Sequence, residues 1–318
     1  MFHKAEKKQA LLRLALCGPA GSGKTYSALQ VAQGLAPQGK IAMIDTEAGS
    51  GELYAELCAY DVATLAPPYS PARYIEAIAA AGAAGYDVLI IDSLSHAWTG
   101  KGGVLEMHDH AAASQRNSFA AWREVTPHHN ALVDAILAAP LHVIITMRTK
   151  TAYEVVENSK GKKVPQKIGM APVQREGLEY EFTLVLDLSV EGHVATASKD
   201  RTGTLDGQHF VPNVGTGETL SGWLTSGADP TEASAGRLAE LKAGAADIEA
   251  LAELNDYWRR HAGDIASLTQ QDQEVMKKYC SCRKSEILQA TDGTGVPAEA
   301  AQGGQPGNVH TLTQHARA

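Results

Sequence analysis

Leu11-Leu12-Arg13-Leu14-Ala15-Leu16-Cys17-Gly18-Pro19-Ala20-Gly21-Ser22-Gly23-Lys24-Thr25 runs from an apolar stretch into a glycine-rich one, and Tyr26 to Leu35 continues with helical character. Strand, G-x-x-x-x-G-K-T, helix is the order that a phosphate-binding loop requires. Glycines let backbone N–H groups turn inward around phosphate oxygens, and the N-terminus of the next helix adds partial positive charge. On this reading Gly18, Pro19, Ala20, Gly21, Ser22, Gly23, Lys24, Thr25 and Tyr26 bind the nucleotide. Lys24 reaches the β- and γ-phosphates of ATP, and the Thr25 hydroxyl takes a Mg²⁺ position. The stretch predicts binding of a nucleoside triphosphate and leaves open what is done with it.

Outward from this loop, strand-like apolar runs recur at Ile41–Ile44, Val88–Ile91, His142–Thr146, Phe182–Leu188 and His193–Ser198. Helical stretches at Gly51–Cys58, Pro71–Ala84 and Asn117–Leu137 separate the earlier ones. Strands alternating with helices predict an α/β fold, a mostly parallel sheet with helices on both faces. Asp206–Ser226 is rich in Gly, Thr and Ser and reads as the edge of the core. Leu238, Leu241, Ile248, Leu251, Leu254, Trp258, Ile265 and Leu268 recur at near-helical spacing, which predicts a helical appendage of two or three helices. The predicted organisation is a core over 1–226, a helical region over 227–289 and a disordered tail over 290–318.

The 318 residues carry 44% hydrophobic residues, ample for a buried core, and a net charge of −8. That balance argues against a protein that coats nucleic acid with its whole surface, but a local basic segment is compatible with it. No apolar run approaches the ~18 residues of a membrane span. Met1-Phe2-His3-Lys4 leads straight toward the first strand, so no signal peptide is expected and a cytoplasmic location is the default. The four cysteines form no secreted-type framework. His108-Asp109-His110 places its histidines at i and i+2, which cannot share one helix face, so a metal site is not expected there.

A phosphate-binding loop works with a carboxylate at the end of an apolar strand. Val88-Leu89-Ile90-Ile91-Asp92 supplies it, and Asp92 is the expected Mg²⁺ partner of Thr25. The next residue is Ser93, so a water-activating glutamate has to come from elsewhere. Ile44-Asp45-Thr46-Glu47 follows the second strand. Ligands of an open α/β sheet sit beyond the carboxyl ends of its strands, so Glu47 is the expected base and Asp45 its competitor.

The pairing of Ile44-Asp45-Thr46-Glu47 with Ile91-Asp92-Ser93 resembles the RecA-like ATPases over roughly residues 10–205. The resemblance implies that Glu47 activates water. It also implies a γ-phosphate sensor at the end of Ile144-Ile145-Thr146-Met147-Arg148, where Thr146 or Arg148 stands. Ser198-Lys199-Asp200-Arg201 resembles the K-x-R finger of RadA-like and KaiC-like members, which implies a homo-oligomer, ring or filament, with Lys199 and Arg201 acting on a neighbour's triphosphate. Alternation along a strand puts these two cations on one side; a solvated hairpin end is the competing reading.

Between Thr149 and Arg175 the sequence has no clear period and holds Lys150, Lys160, Lys162, Lys163, Lys167 and Arg175 against Glu154 and Glu157. Long polar loops in compact domains are usually functional. The RecA-like resemblance places a loop contacting single-stranded DNA here, with the lysines on phosphates and Tyr153 stacking on bases. A charged surface loop, or a β-hairpin turning at Ser159-Lys160-Gly161-Lys162, is the alternative. Thr99 to Arg116 takes the place of a second DNA loop. The compact layout is similar to phage-encoded ATPases of the single-strand annealing class. That likeness implies DNA-stimulated ATP hydrolysis in recombination or replication, with a single-strand-binding protein as a further partner. A KaiC-like switch acting on a protein partner is the second reading.

Overall fold

The computed structural model describes residues 5–114, 118–157 and 163–292. Its contacts form one compact unit up to Asp229 and a second from Pro230.

The first unit is built on a sheet whose strands are β1 (Arg13–Gly18), β2 (Ile41–Asp45), β3 (Asp61–Thr64), β4 (Val88–Asp92), β5 (His142–Glu157), β6 (Lys163–Pro172), β7 (Leu184–Leu188), β8 (Ala195–Asp200) and β9 (His209–Phe210). The order is β3-β2-β4-β5-β1-β7-β8-β9, with β6 paired to β5. The first six strands of that order are parallel, and β8 and β9 close one side antiparallel. Period-two alternation divides the central strands between two cores. Leu14 and Leu16 of β1, Met43 of β2 and Ile90 of β4 face α1 (Lys24–Leu35). Ala15, Ile44 and Ile91 face the opposite layer, where α2 (Pro71–Ala83) contributes Tyr74 and Ile78. Strands buried on both faces read as continuous apolar runs, which is why their sequence was so legible.

Several expected elements differ. The helix predicted over Gly51–Cys58 is a 3-10 turn, Ser50–Tyr54, followed by ordinary turns. The loop predicted over Thr99–Arg116 is mostly helix: α3 (Ser95–Thr99) leads through Gly100–Gly103 into α4 (Val104–Ser114), and Gln115 and Arg116 lie outside the described residues. The next helix, α5 (Ser118–Ala138), packs against α4 and α2. Residues 206–226 are not merely an edge. They contain α6 (Val214–Thr225), started by an Asn213 capping box and packed on α1. The approach is close enough that a Cβ on Gly34 would lie 2.0 Å from the Val214 carbonyl oxygen, so glycines there serve contact rather than flexibility. Arg13, which begins β1, is buried and donates to the carbonyls of Leu12, Leu137, Ala139 and Leu141, tying off the end of α5; burial pushes its pKa down to about 10.

Among the described residues the second unit has four helices rather than two or three: α7 (Pro230–Ala246), α8 (Leu251–Arg260), α9 (Ala262–Ala266) and α10 (Gln270–Asp292). Leu238, Leu241, Leu254, Ile265 and Met276 form its own core. The tail beyond residue 292 lies outside the described residues. None of the described helices is long and apolar enough to cross a membrane.

Candidate active site

β1 ends at Gly18, and the chain turns through Pro19–Gly23 before α1 begins at Lys24. Gly21 and Gly23 have φ of 80° and 84°, a region that favours glycine. A side chain on Gly18 would meet Ser22 Oγ at 2.4 Å. The Ser22 hydroxyl is buried with no hydrogen-bond partner among the described residues. Lys24 folds back to donate to the Gly18 and Pro19 carbonyls, at 3.0 and 2.8 Å. Burial lowers its pKa, opposed by the charges of Asp92 and Glu47. A glycine-lined turn, an orphan buried hydroxyl and a lysine held only by carbonyls are the donor set that a polyphosphate satisfies. His193, at the β7–β8 turn with φ 52°, packs against Gly23 from outside.

Asp92, at the end of β4, is 2% exposed and accepts from Thr25 Oγ1 at 2.6 Å and from Thr146 Oγ1. Burial raises its carboxyl pKa, and the two hydroxyl bonds offset part of that rise. Thr25 and Asp92 together supply the hard oxygen donors that Mg²⁺ prefers. Thr146 therefore braces Asp92, which leaves Arg148 as the sensor candidate.

Asp45 and Glu47 differ in their hydrogen bonds. Asp45 is fully buried, and its carboxylate accepts from the backbone N–H groups of Glu47 (2.6 Å), Gly49 (2.8 Å) and Gly51 (3.3 Å). It shapes the turn that presents Glu47. The Glu47 carboxylate meets the Arg148 guanidinium through two hydrogen bonds, Nε to Oε1 at 3.0 Å and Nη2 to Oε2, and Ser93 Oγ donates to Oε1 at 3.1 Å. Burial pushes the Glu47 pKa up, but the Arg148 and Ser93 bonds outweigh it and hold the carboxyl below its usual range. Lys24, Thr25, Glu47, Asp92 and Arg148 thus gather at the carboxyl end of the parallel strands.

The other expected residues lie elsewhere. Lys199 donates to the carbonyls of Glu179 and Tyr180, and Arg201 to that of Tyr180, so both cations do sit on one side but cap the short turn Leu178–Glu181. Lys150, Tyr153, Lys163 and Lys167 fall on β5 and β6, which form an antiparallel arm instead of an irregular loop. Lys150 is exposed, and Arg175 follows the end of β6. Lys160 and Lys162 lie outside the described residues. His108 is a packing residue: its ring stacks on Trp122 at 4.2 Å, and Nε2 lies 3.2 Å from Ser118 Oγ.

Two features escaped the sequence reading. Tyr54 meets Tyr26 edge to face at 6.3 Å beside the loop, and the only available signal was an aromatic a few residues beyond Glu47. Thr46 and His96 join the turns after β2 and β4, with no sequence signal at all.

No curated protein matches this chain. A family model described as "AAA domain" matches residues 10–213, and the chain belongs to that family of nucleotide-binding P-loop ATPases.

Proposed function

We propose that the chain is a Mg²⁺-dependent ATPase whose turnover is coupled to single-stranded DNA, serving recombination or replication of the phage type by annealing or strand exchange. The observation that carries the reading is β5 itself. Its first half lies beside β1 and β4 in the site, and its second half leaves the sheet as an arm with β6 in a segment holding six positive residues against two negative. Arg148 stands at the changeover: it is in register with Gly18 of β1, and the next residue, Thr149, pairs with Pro172 of β6.

In hydrolysis the loop Gly18–Thr25 and Lys24 hold the phosphates, and Tyr26 and Tyr54 offer aromatic surface to the base. Thr25 and Asp92 would hold Mg²⁺, which would neutralise phosphate charge when bound. Glu47 takes the proton of the attacking water as the new O–P bond forms and the bond to ADP breaks. Arg148 leaves Glu47 for a γ-phosphate oxygen, which frees the carboxylate and reports nucleotide to the arm. Lys199 and Arg201 reach the triphosphate of a neighbouring subunit in a homo-oligomer, exchanging their carbonyl partners for phosphate. The likeness to phage annealing ATPases supports the DNA partner, and a single-strand-binding protein fits the same pathway.

ATP turnover with and without single-stranded DNA tests the proposal. Stimulation is expected. Indifference to DNA, with stimulation by a protein, would favour the switch reading, which the −8 charge and the separate helical unit suit.

A further inference from the structure

We infer that His96 is a positioning residue for the water-activating carboxylate, acting through the Thr46 hydroxyl to fix the turn that aims Glu47. The inference rests on the role of Glu47 proposed above.

Thr46 is 2% exposed and sits between the capping Asp45 and Glu47. Its N–H donates to the Asp92 carbonyl at 2.7 Å. Its hydroxyl oxygen accepts the Ser93 N–H at 2.8 Å and lies 2.8 Å from His96 Nδ1. The Asp92 and Ser93 carbonyls are each 3.2 Å from the same oxygen.

One hydroxyl carries one proton, so only one of these three acceptors receives it. The Asp92 carbonyl already accepts from the Thr46 N–H, and the Ser93 carbonyl from the Tyr74 hydroxyl. His96 Nδ1 is the nearest of the three and takes the proton. The imidazole is then neutral with its own hydrogen on Nε2, in keeping with burial and the nearby Arg148, which both lower its pKa.

The ring is itself held in place, stacked on Tyr69 at 4.9 Å and 21°. A fixed acceptor orients the Thr46 hydroxyl, and its lone pair orients the Ser93 N–H. The Ser93 hydroxyl in turn holds Glu47 Oε1. Without Nδ1 the hydroxyl turns to the carbonyls, and the link between the two strand ends loosens at the carboxylate.

Small displacements of a reacting group cost rate rather than binding. His96→Ala and Thr46→Val are each expected to lower kcat on the order of 10- to 100-fold. KM for ATP and equilibrium binding of a fluorescent ADP analogue should stay within about twofold, as when an interaction counts only in the transition state. His96→Asn places an amide oxygen near the Nδ1 position and should restore most of the rate. The double variant should be no slower than the slower single one, because both cut the same link. Thr46→Val leaves the His96 ring on Tyr69, so it carries the test if His96→Ala fails to fold by circular dichroism.

Glu47→Gln is the control. If it is inactive while His96→Ala and Thr46→Val keep the wild-type kcat, the positioning role is wrong and the base stands. If His96→Asn is as slow as His96→Ala, the ring fills space and does not accept a proton, which also overturns the inference. If Glu47→Gln turns over normally, the base assignment fails first and the inference falls with it.

Discussion

Between His142 and Met147, β5 is clamped by β4 on one side and β1 on the other, and Val143, Ile144, Ile145 and Met147 have no exposure. From Thr149 to Glu157 the same strand pairs with β6 as an arm. One continuous strand therefore lies in two settings. Its buried half fixes the position of Thr146 and Arg148, and any change of volume there is felt throughout a close-packed core. Its outer half can carry charge without disturbing that packing. The held half borders the candidate site, and the outer half is the part where variation is more easily tolerated.

The largest effect is expected at the site that the held half borders, from Lys24→Ala. Loss of that cation should lower ATP turnover on the order of 10²- to 10³-fold, measured by phosphate release, because a positioned charge on the transferring phosphoryl group is removed. An active Lys24→Ala would break the comparison at its strongest point.

The basic segment 149–175 should answer differently. Replacing Lys160, Lys162 and Lys163 together with Ala should leave basal turnover intact. It should weaken single-stranded DNA binding and reduce the slope of log K against log salt by about 2, at ~0.7 per phosphate contact. Fluorescence anisotropy across a salt series reads both quantities. An unchanged slope would take the segment out of DNA binding.

The smallest effect is on stability. The folded-state pKa of Asp92 is raised by burial, so folding favours its protonated form. The penalty is absent below the ordinary carboxylate pKa, grows as pH rises toward the folded value and is full above it. Asp92→Asn should thus raise the nucleotide-free, metal-free unfolding midpoint at neutral pH, read by thermal melting. It should leave the midpoint nearly unchanged at acid pH, while losing turnover. A midpoint lowered at neutral pH would mean that the Thr25 and Thr146 bonds outweigh desolvation.

The same contrast explains what could be read from the sequence. The loop Gly18–Thr25, Asp92 and the central strands were legible because phosphate geometry and two-sided burial each allow few residue types. β3 was missed because it is a short, largely exposed edge strand. Thr149 to Arg175 reads as a loop with a hairpin as alternative because the segment shows no clear period, and only the pairing of β5 with β6 reveals the arm. α6 is hidden because Gly215 and Gly217 look like loop residues, yet the missing side chain of Gly217 is what lets α6 touch Gly34 of α1. The Glu47–Arg148 pair joins residues 101 positions apart, and only the order of β2, β4 and β5 brings them together. Asp45 and Glu47 look equivalent as carboxylates. Three backbone N–H groups on Asp45 set their surroundings apart.

The most direct test is turnover by Glu47→Gln at saturating ATP and Mg²⁺, with nucleotide affinity measured on the same preparation. The amide keeps the shape of the carboxylate but cannot take a proton. Nucleotide affinity within about threefold of wild type and a kcat lower by on the order of 10²-fold or more are expected. Wild-type turnover by Glu47→Gln would contradict the role of Glu47 and return the search for the base to another residue.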